Sequence, residues 1–183
     1  MRPGFLAAEP VHALAEETRS LRASGAFRPA RIGRGVERAQ RPALRGDELC
    51  WIDPGSASPA QRDLLARLES LRLALNRSLC LGLFELEAQL SVYPPGACYQ
   101  RHLDAFRGGG HRAVSMVLYL NERWRPEDGG ALRLHVGAQR AVEVAPLGGT
   151  LVAFLSERLE HEVLPGARER LSVAAWFLRR RGP

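Results

Sequence analysis

Phe84–Tyr93, with the sequence FELEAQLSVY, alternates apolar and polar side chains, which is the pattern of a half-buried β-strand. The chain continues after it as short apolar segments, predicted as strands over 112–120, 131–136, 141–144, 150–154 and 171–177. Turn sequences such as Pro94-Pro95-Gly96 and Leu164-Pro165-Gly166 separate them. A run of about seven short strands predicts a β-sandwich or barrel.

Two amphipathic helices are predicted before the strands. The first spans Pro10–Ser24, with a proline suited to a first helical turn and Gly25 directly after its end. The second runs from about Pro59 to Ser78, where leucines recur every three or four residues behind the capping-box sequence Ser58–Gln61. Helices followed by strands indicate an α+β fold.

The segment between the two helices is long and irregular. Residues 26–46 carry six arginines, interrupted by glycine and proline, with weak periodicity. Loops of this length inside a compact domain are usually functional or disordered.

Composition bounds the possible functions. The 183 residues fit one domain, and all 26 basic residues are arginine. Without lysine the chain cannot form a Schiff base or contain the lysine of a phosphate loop. The net charge of +6 is compatible with nucleic-acid binding but does not by itself indicate it. We find no apolar run long enough to cross a bilayer and no signal peptide, and the three scattered cysteines favour a reducing cytoplasm.

One constellation of residues points to metal chemistry. His102 and Asp104 are two residues apart, His161 follows 57 residues after Asp104, and Arg170 nine residues later. Two histidines and one carboxylate on one face of a metal form the facial triad of non-haem iron(II) oxygenases, which leaves positions open for an oxo acid and dioxygen. Arg170 could bind the distal carboxylate of that oxo acid.

Motifs around these residues resemble a known family. The sequence is similar to the 2-oxoglutarate- and iron-dependent dioxygenases, particularly the prolyl-hydroxylase-domain branch that includes the oxygen-sensing hydroxylases. The matching stretches are Arg45-Gly46-Asp47 with Trp51-Ile52, Tyr93-Pro94, Tyr99 to Asp104, Tyr119 to Trp124, Gly129 to Arg133, His161-Glu162-Val163, Arg170 and Trp176.

The resemblance implies a role for each site residue. It implies that iron is bound by His102, Asp104 and His161, and that Arg170 and Tyr119 hold the distal carboxylate of 2-oxoglutarate. The resemblance also implies that Tyr93 and Tyr99 line the pocket beside the oxo acid. Ser172 would donate a further hydrogen bond to the carboxylate of the oxo acid. Trp176 and Arg45 would lie on the substrate side. Ser172 departs from the oxygen-sensing pattern, which has an apolar residue there, so a purely structural serine is an equal alternative.

The resemblance also implies an architecture. We expect one domain over 1–183 whose core, 84–179, is a double-stranded β-helix (a jelly roll). Residues 1–80 would buttress it with helices, and 26–46 would be a mobile loop that closes over substrate.

The implied activity is hydroxylation of a prolyl residue in an intracellular protein, with 2-oxoglutarate converted to succinate. Fe(II), 2-oxoglutarate and dioxygen would be required, and ascorbate is the expected reductant. The carboxylate of Asp104 favours hydroxylation over halogenation. By analogy, the expected partner is a protein of the translation machinery or a transcription factor, in the cytoplasm, with no membrane or nucleic acid involved.

Three alternatives remain open at this point. The enzyme could hydroxylate free proline or another small molecule. An oxidative nucleic-acid demethylase would carry a second arginine where this chain has Trp176. A non-catalytic RNA-binding module is the alternative outside the enzymes, and it predicts salt-dependent RNA affinity without iron binding.

Overall fold

A computed structural model describes residues 1–32, 39–105 and 111–180. Within these ranges the chain forms two helices, α1 (Ala8–Ala23) and α2 (Pro59–Leu79). The strands are β1 (Arg28–Pro29), β2 (Glu48–Trp51), β3 (Leu83–Tyr93), β4 (Tyr99–His102), β5 (Arg112–Tyr119), β6 (Leu132–His135), β7 (Ala141–Val144), β8 (Leu151–Leu155), β9 (Glu160–Val163) and β10 (Arg170–Arg179). A single 3₁₀ turn, Pro126–Asp128, precedes β6.

The strands form two antiparallel sheets. The large sheet has the order β1-β2-β3-β10-β5-β8, and the small sheet has the order β4-β9-β6-β7. The centre of the large sheet is β10, which pairs with β3 from Arg170↔Tyr93 to Arg179↔Leu83 and with β5 on its other side. In the small sheet β9 pairs with both β4 and β6.

The large sheet lies between the helices and the small sheet. One buried cluster joins Leu14 of α1 and Leu64 and Leu68 of α2 to the outer face of the large sheet. A second cluster joins the inner face of that sheet, through Tyr119 and Phe154 among others, to residues of the small sheet such as Leu132 and Val163. The predicted α+β fold with a jelly-roll core buttressed by helices is confirmed.

The start of α2 confirms half of the predicted capping box. The Ser58 hydroxyl accepts a hydrogen bond from the Gln61 backbone N–H at 3.1 Å. The Gln61 side chain donates instead to Glu17 of α1 at 3.0 Å, which ties the two helices together. At the other end of α2, Leu79 is 59% exposed although the leucine pattern placed it on the apolar face.

Four strands lie where the sequence pattern predicted none. They are β1 and β2 before Phe84, and β4 and β9 around the two histidines. Each has two to four residues, too few for an alternation to be recognised, and is stabilised by pairing with a longer or better-packed neighbour. Part of the predicted loop 26–46 therefore pairs as β1, and Arg45 bridges to Tyr99. Residues 33–38 of that loop lie outside the described residues.

In the described part of the chain, no helix combines the length and the apolar character needed to cross a membrane.

Candidate active site

His102, Asp104 and His161 come together at one end of the small sheet. The sequence separates the histidines by 59 positions, but β4 and β9 pair antiparallel with His102 directly opposite His161. One ligand atom from each of the three residues lies within 4.8 Å of the others. The Asp104 carboxylate oxygens are 3.6 Å from His102 Nε2 and 3.7 Å from His161 Nε2.

Backbone carbonyls fix the orientation of both imidazoles. His102 Nδ1 is 2.7 Å from the Gln100 carbonyl oxygen, and His161 Nδ1 is 3.1 Å from that of Leu159. Because a carbonyl only accepts, each Nδ1 carries a hydrogen, and each Nε2 is the ring nitrogen directed toward Asp104. The three side chains therefore present donor atoms suited to a divalent cation.

The protonation states agree with metal binding. Burial lowers the pKa of His161 to about 4, so the imidazole is neutral near pH 7. Burial alone would raise the pKa of Asp104, but the interactions of the carboxylate with His102 and His161 outweigh it, and the pKa lies below its usual range. The site therefore combines a carboxylate with imidazole nitrogens, which are the ligand types of a divalent metal.

Side chains of the large sheet hold the Asp104 carboxylate in place. The Trp176 indole Nε1–H donates to Asp104 Oδ2 at 2.9 Å. Ser115, beside Trp176 in the register of β5 and β10, also helps to lower the pKa of the carboxyl group. The Ser115 hydroxyl is buried and lies 2.8 Å from the hydroxyl of Ser156. The position of this carboxylate is thus set from both sheets.

A buried cation and a buried phenol share the same cavity region. Arg170 is 2% exposed; its Nε donates to the Gly130 carbonyl at 3.0 Å and its Nη1 to Ser172 Oγ at 3.2 Å. Among the described residues, Arg170 Nη2 and the Tyr119 hydroxyl are the two buried side-chain polar atoms without a hydrogen-bond partner. Burial raises the pKa of Tyr119 to about 12, so the phenol keeps its hydrogen. Unpaired buried donors are costly, and an anionic ligand would satisfy both.

The triad and Arg170 line one cavity of about 460 Å³ between the two sheets. Its volume lies in the range of small-molecule sites. Residues from β2, β3 and β10 form its floor, and β4 and β9 form the side that carries the histidines.

Comparison with known proteins agrees with this geometry. Residues 88–178 match the 2-oxoglutarate (2OG)-Fe(II) oxygenase superfamily. The crystal structure of a Pseudomonas putida prolyl-4-hydroxylase is 47% identical in sequence, with a TM-score of 0.88, over 98% of this chain and 91% of that chain. This chain belongs to the 2OG-Fe(II) oxygenase superfamily.

Two further relatives of this superfamily are prolyl hydroxylases. A Trichoplax adhaerens prolyl hydroxylase, solved with a hypoxia inducible factor peptide fragment, is 26% identical with a TM-score of 0.85, over 97% of this chain and 81% of that chain. Human prolyl hydroxylase EGLN3 is 29% identical over 170 residues, which are 88% of this chain and 70% of the relative.

Enzymes of the 2OG-Fe(II) oxygenase superfamily depend on Fe(II) and 2-oxoglutarate, and the residues present fit both groups. The donor set of the triad is the N₂O facial set that suits non-haem iron(II). The unpaired donors of Arg170 and Tyr119 match the carboxylate of a dicarboxylic acid.

The tyrosines predicted from the superfamily resemblance lie around the same cavity. The Arg170 guanidinium is 5.0 Å from the Tyr93 ring centre and 5.1 Å from that of Tyr119. Tyr99 stacks on the His102 imidazole with 3.5 Å between ring centres. Burial raises the pKa of both Tyr93 and Tyr99, so their phenols stay protonated.

Arg45 and Trp176, predicted on the substrate side, also reach the cavity. Arg45 forms a two-pronged ion pair with buried Asp47 at 2.7 and 3.0 Å and lies 4.6 Å from the centre of the Tyr99 ring. Trp176 is covered on one face by the Arg112 guanidinium at 3.6 Å and is 6.0 Å from Trp51. Arg45 is thus held in the cavity lining by Asp47 and Tyr99. Trp176 packs there with Arg112 and Trp51.

Sequence reasoning missed several cavity residues. They are Gln89, Ser91 and Arg112, and Ser115 lies behind the triad next to Trp176. Gln89 and Ser91 share a strand face with Tyr93, and the alternation of Phe84–Tyr93 could have placed them beside it. Nothing in the sequence pairs Ser115 or Arg112 with the triad, because those contacts join strands that are distant along the chain.

Proposed function

We propose that the chain is an Fe(II)- and 2-oxoglutarate-dependent prolyl hydroxylase that acts on a proline residue of a protein. In this reaction 2-oxoglutarate, dioxygen and a prolyl C–H give succinate, carbon dioxide and a prolyl C–OH. The observation that carries the proposal is that a His-Asp-His triad and a buried cation with an unpaired N–H share one cavity. The 47% identity to a prolyl-4-hydroxylase supports proline as the target, and the relative bound to a peptide supports a polypeptide substrate.

His102, Asp104 and His161 would hold iron(II). Bound there, the metal supplies the redox chemistry that couples loss of carbon dioxide from 2-oxoglutarate to oxidation of a C–H bond by dioxygen. The chain contributes preorganisation: the carbonyls of Gln100 and Leu159 aim the imidazoles before the metal binds.

Arg170 and Tyr119 would orient the co-substrate. The Nη2–H of Arg170 and the hydroxyl hydrogen of Tyr119 have no other partner among the described residues, and both can donate to one carboxylate. The Ser172 hydroxyl already accepts from Arg170, so its own hydrogen is free to donate beside them. A dicarboxylate held at this end would extend into the cavity that the triad also lines.

The same proposal includes the domain organisation, the cellular location, the reductant and the partner. The catalytic unit is a single domain, with a core over 84–179 and support from 1–80. The cysteines Cys50, Cys80 and Cys98 are unpaired, which supports a cytoplasmic location, and ascorbate is the proposed reductant. The partner is a proline-containing protein, for which the translation machinery and transcription factors are the first classes to search.

The test is turnover of purified protein with Fe(II), 2-oxoglutarate, ascorbate and oxygen. Succinate should form and be stimulated by proline-containing proteins of a cell lysate, and mass spectrometry should find one added oxygen on a proline. Stimulation by free proline without any peptide product would contradict the protein substrate.

A matched pair of arginine variants tests the oxo-acid site. Arg170→Ala should raise KM for 2-oxoglutarate about 100-fold, because the cation that pairs the carboxylate is lost. Arg168→Ala is the control, since Arg168 lies two residues away but is half-exposed and pairs with Asp128 outside the cavity. Equal KM values in the two variants would refute the assignment of Arg170.

A further inference from the structure

The inward face of the large sheet forms an ordered cavity floor. Register pairs place the inward residues in rows across the strands. The row nearest the carboxylate site pairs Tyr93 with Arg170. The next inward row is Leu49, Ser91, Ser172 and Tyr119, and the one after it is Trp51, Gln89, Ala174 and Val117.

Gln89 is the polar member of an otherwise apolar row. Its neighbours on either side are Trp51 of β2 and Ala174 of β10, and all three line the cavity. Ala174 has only a methyl group, so the floor next to Gln89 is open. The row is two residues along β10 from Trp176, whose indole lies 6.0 Å from that of Trp51.

The Gln89 amide is buried but only partly satisfied. The residue is 2% exposed, and its Nε2 donates to Ser91 Oγ at 3.1 Å. Among the described residues that is the single hydrogen bond of the side chain, although an amide can make about four. Either orientation of the amide leaves one polar atom free toward the cavity. The other polar atom of the amide is not among the buried atoms without a partner, and the side chain lines the cavity, so this atom is open to a ligand there.

The position and charge of Gln89 indicate which ligand this is. Gln89 is four residues along β3 from Tyr93, the register partner of Arg170, which is roughly 13 Å at about 3.3 Å per residue. The co-substrate carboxylate is assigned to Arg170 with Tyr119 and Ser172, whose row lies between Gln89 and Arg170. A neutral amide beside the Trp51 indole complements a neutral peptide group, whereas the charged amino and carboxylate groups of free proline would need ionic partners.

We propose that Gln89 hydrogen-bonds a main-chain peptide group next to the target proline, and that it makes the enzyme selective for prolyl residues in a polypeptide over free proline. This inference rests on the proposed prolyl hydroxylation. Ser91 is the positioning residue, because its hydroxyl fixes one end of the amide and turns the other end to the substrate.

The experiment compares Gln89→Met with wild type on two probes: free L-proline, and an N-acetylated, C-amidated single-proline peptide that the wild type hydroxylates. Methionine keeps the length of the side chain and removes the amide. We expect kcat/KM for the peptide to fall about tenfold, while KM for 2-oxoglutarate, succinate formation without prime substrate, and Fe(II) affinity stay within about twofold. The ratio of peptide to free-proline kcat/KM should fall by the same factor.

An ester analogue adds a second readout. Replacing the peptide group after the proline by an ester removes one N–H and weakens one carbonyl acceptor, so wild type should lose about tenfold in kcat/KM and Gln89→Met should lose little more. Gln61→Met is the matched control, because Gln61 is also buried but bonds Glu17 between the helices, far from the cavity. If methionine packs poorly at position 89, the Gln89→Leu variant repeats the test.

Three outcomes would overturn the inference. In the first, Gln89→Met and Gln89→Leu hydroxylate the peptide as wild type does. In the second, the loss is confined to KM for 2-oxoglutarate, which would assign Gln89 to the oxo acid. In the third, wild type converts 2-oxoglutarate to succinate but hydroxylates no peptide, in which case the proposed function itself fails together with this inference.

Discussion

The two sheets of the molecule differ in how they are stabilised and in what they contribute to the site. The large sheet has strands of up to eleven residues, and Phe177 of its central strand β10 is fully buried. The small sheet has four strands of four residues each. Its exposed side is held by ion pairs such as Arg133 with Glu143 and Glu162. The large sheet supplies Arg170 and Tyr119, which are proposed to bind the oxo acid, and the small sheet supplies both histidines.

Packing and chemistry are therefore divided between the sheets. Long strands with many register pairs can hold a buried arginine and an unpaired phenol despite their cost. Short strands suffice to carry the metal ligands, because a bound cation would hold these strands together. The free energy of metal binding would then add to the stability of the folded protein. Substitutions in each sheet can test this division, and those with the strongest expected consequences come first.

Asp104→Ala should abolish turnover, with succinate formation reduced at least about 1,000-fold. The residue would supply the only carboxylate of the triad, and it links the histidines to Trp176 of the large sheet. Succinate release is measured by mass spectrometry, and stability by urea unfolding. Glu143→Ala removes an exposed carboxylate from the same sheet and should keep full activity. An active Asp104→Ala enzyme would show that the metal site has been misassigned.

Alanine substitutions in the two cores should differ in cost. Phe177→Ala should lower the free energy of unfolding of the metal-free protein by about 4 kcal/mol, because the side chain is fully buried within the large core. Leu134→Ala, in the small sheet and 8% exposed, should cost about 2 kcal/mol. Urea denaturation monitored by circular dichroism measures both. Equal losses would mean that the small sheet is as much a part of the stabilising core as the large one.

The small sheet should also make stability depend on pH. The folded-state pKa of His161 is about 4 and its ordinary value is 6.5, so between these values the unfolded chain binds a proton that the folded chain does not. The free energy of unfolding of the metal-free protein should therefore fall by about 3 kcal/mol as pH decreases from 6.5 to 4. Asp104, whose pKa is also lowered, adds a further loss in more acidic solution.

Urea unfolding of the metal-free protein at pH 7 and pH 4.5 measures this dependence. His161→Asn should remove most of the difference, because asparagine does not titrate. An unchanged pH dependence in that variant would locate its origin elsewhere in the protein.

Trp176→Phe tests the hydrogen bond that crosses from the large sheet to the metal site. Loss of the indole N–H leaves Asp104 Oδ2 without this donor, and Fe(II) affinity should fall about tenfold. Anaerobic calorimetry of Fe(II) binding without substrate isolates this effect from contacts to substrate. Trp124→Phe is the control, since that indole donates to the Gly129 carbonyl at 2.9 Å outside the triad. Equal affinities for the two variants would show that the contact does not position the carboxylate.

Long periodic elements were predictable from sequence to within a few residues. The leucine repeat predicted about 59–78 and the helix spans Pro59–Leu79, while the alternation over 84–93 became a strand over Leu83–Tyr93. The short strands β4 and β9 could not be predicted in this way. Their four residues carry too little pattern, and they are stabilised by pairing across the sheet.

The candidate site follows the same rule. The residue types, their order and the surrounding motifs are enough to identify His102, Asp104, His161 and Arg170, since a metal and an oxo acid require those groups. The partners of these residues are not visible in the sequence. Trp176 lies 72 positions from the carboxylate that it bonds, and Ser115 lies 41 positions from Ser156.

The amino-acid sequence is sufficient to establish the α+β class, the family resemblance and the identity of the candidate ligands. It also leaves arginine as the only permanently cationic side chain that can bind a carboxylate, because the chain contains no lysine. The folded arrangement is needed to show that His102 faces His161, that the donors of Arg170 and Tyr119 are left unpaired, and that Gln89 lies at the floor of the cavity. These facts depend on strand register and burial, which arise from contacts between residues far apart in the chain, and local sequence preference does not encode them.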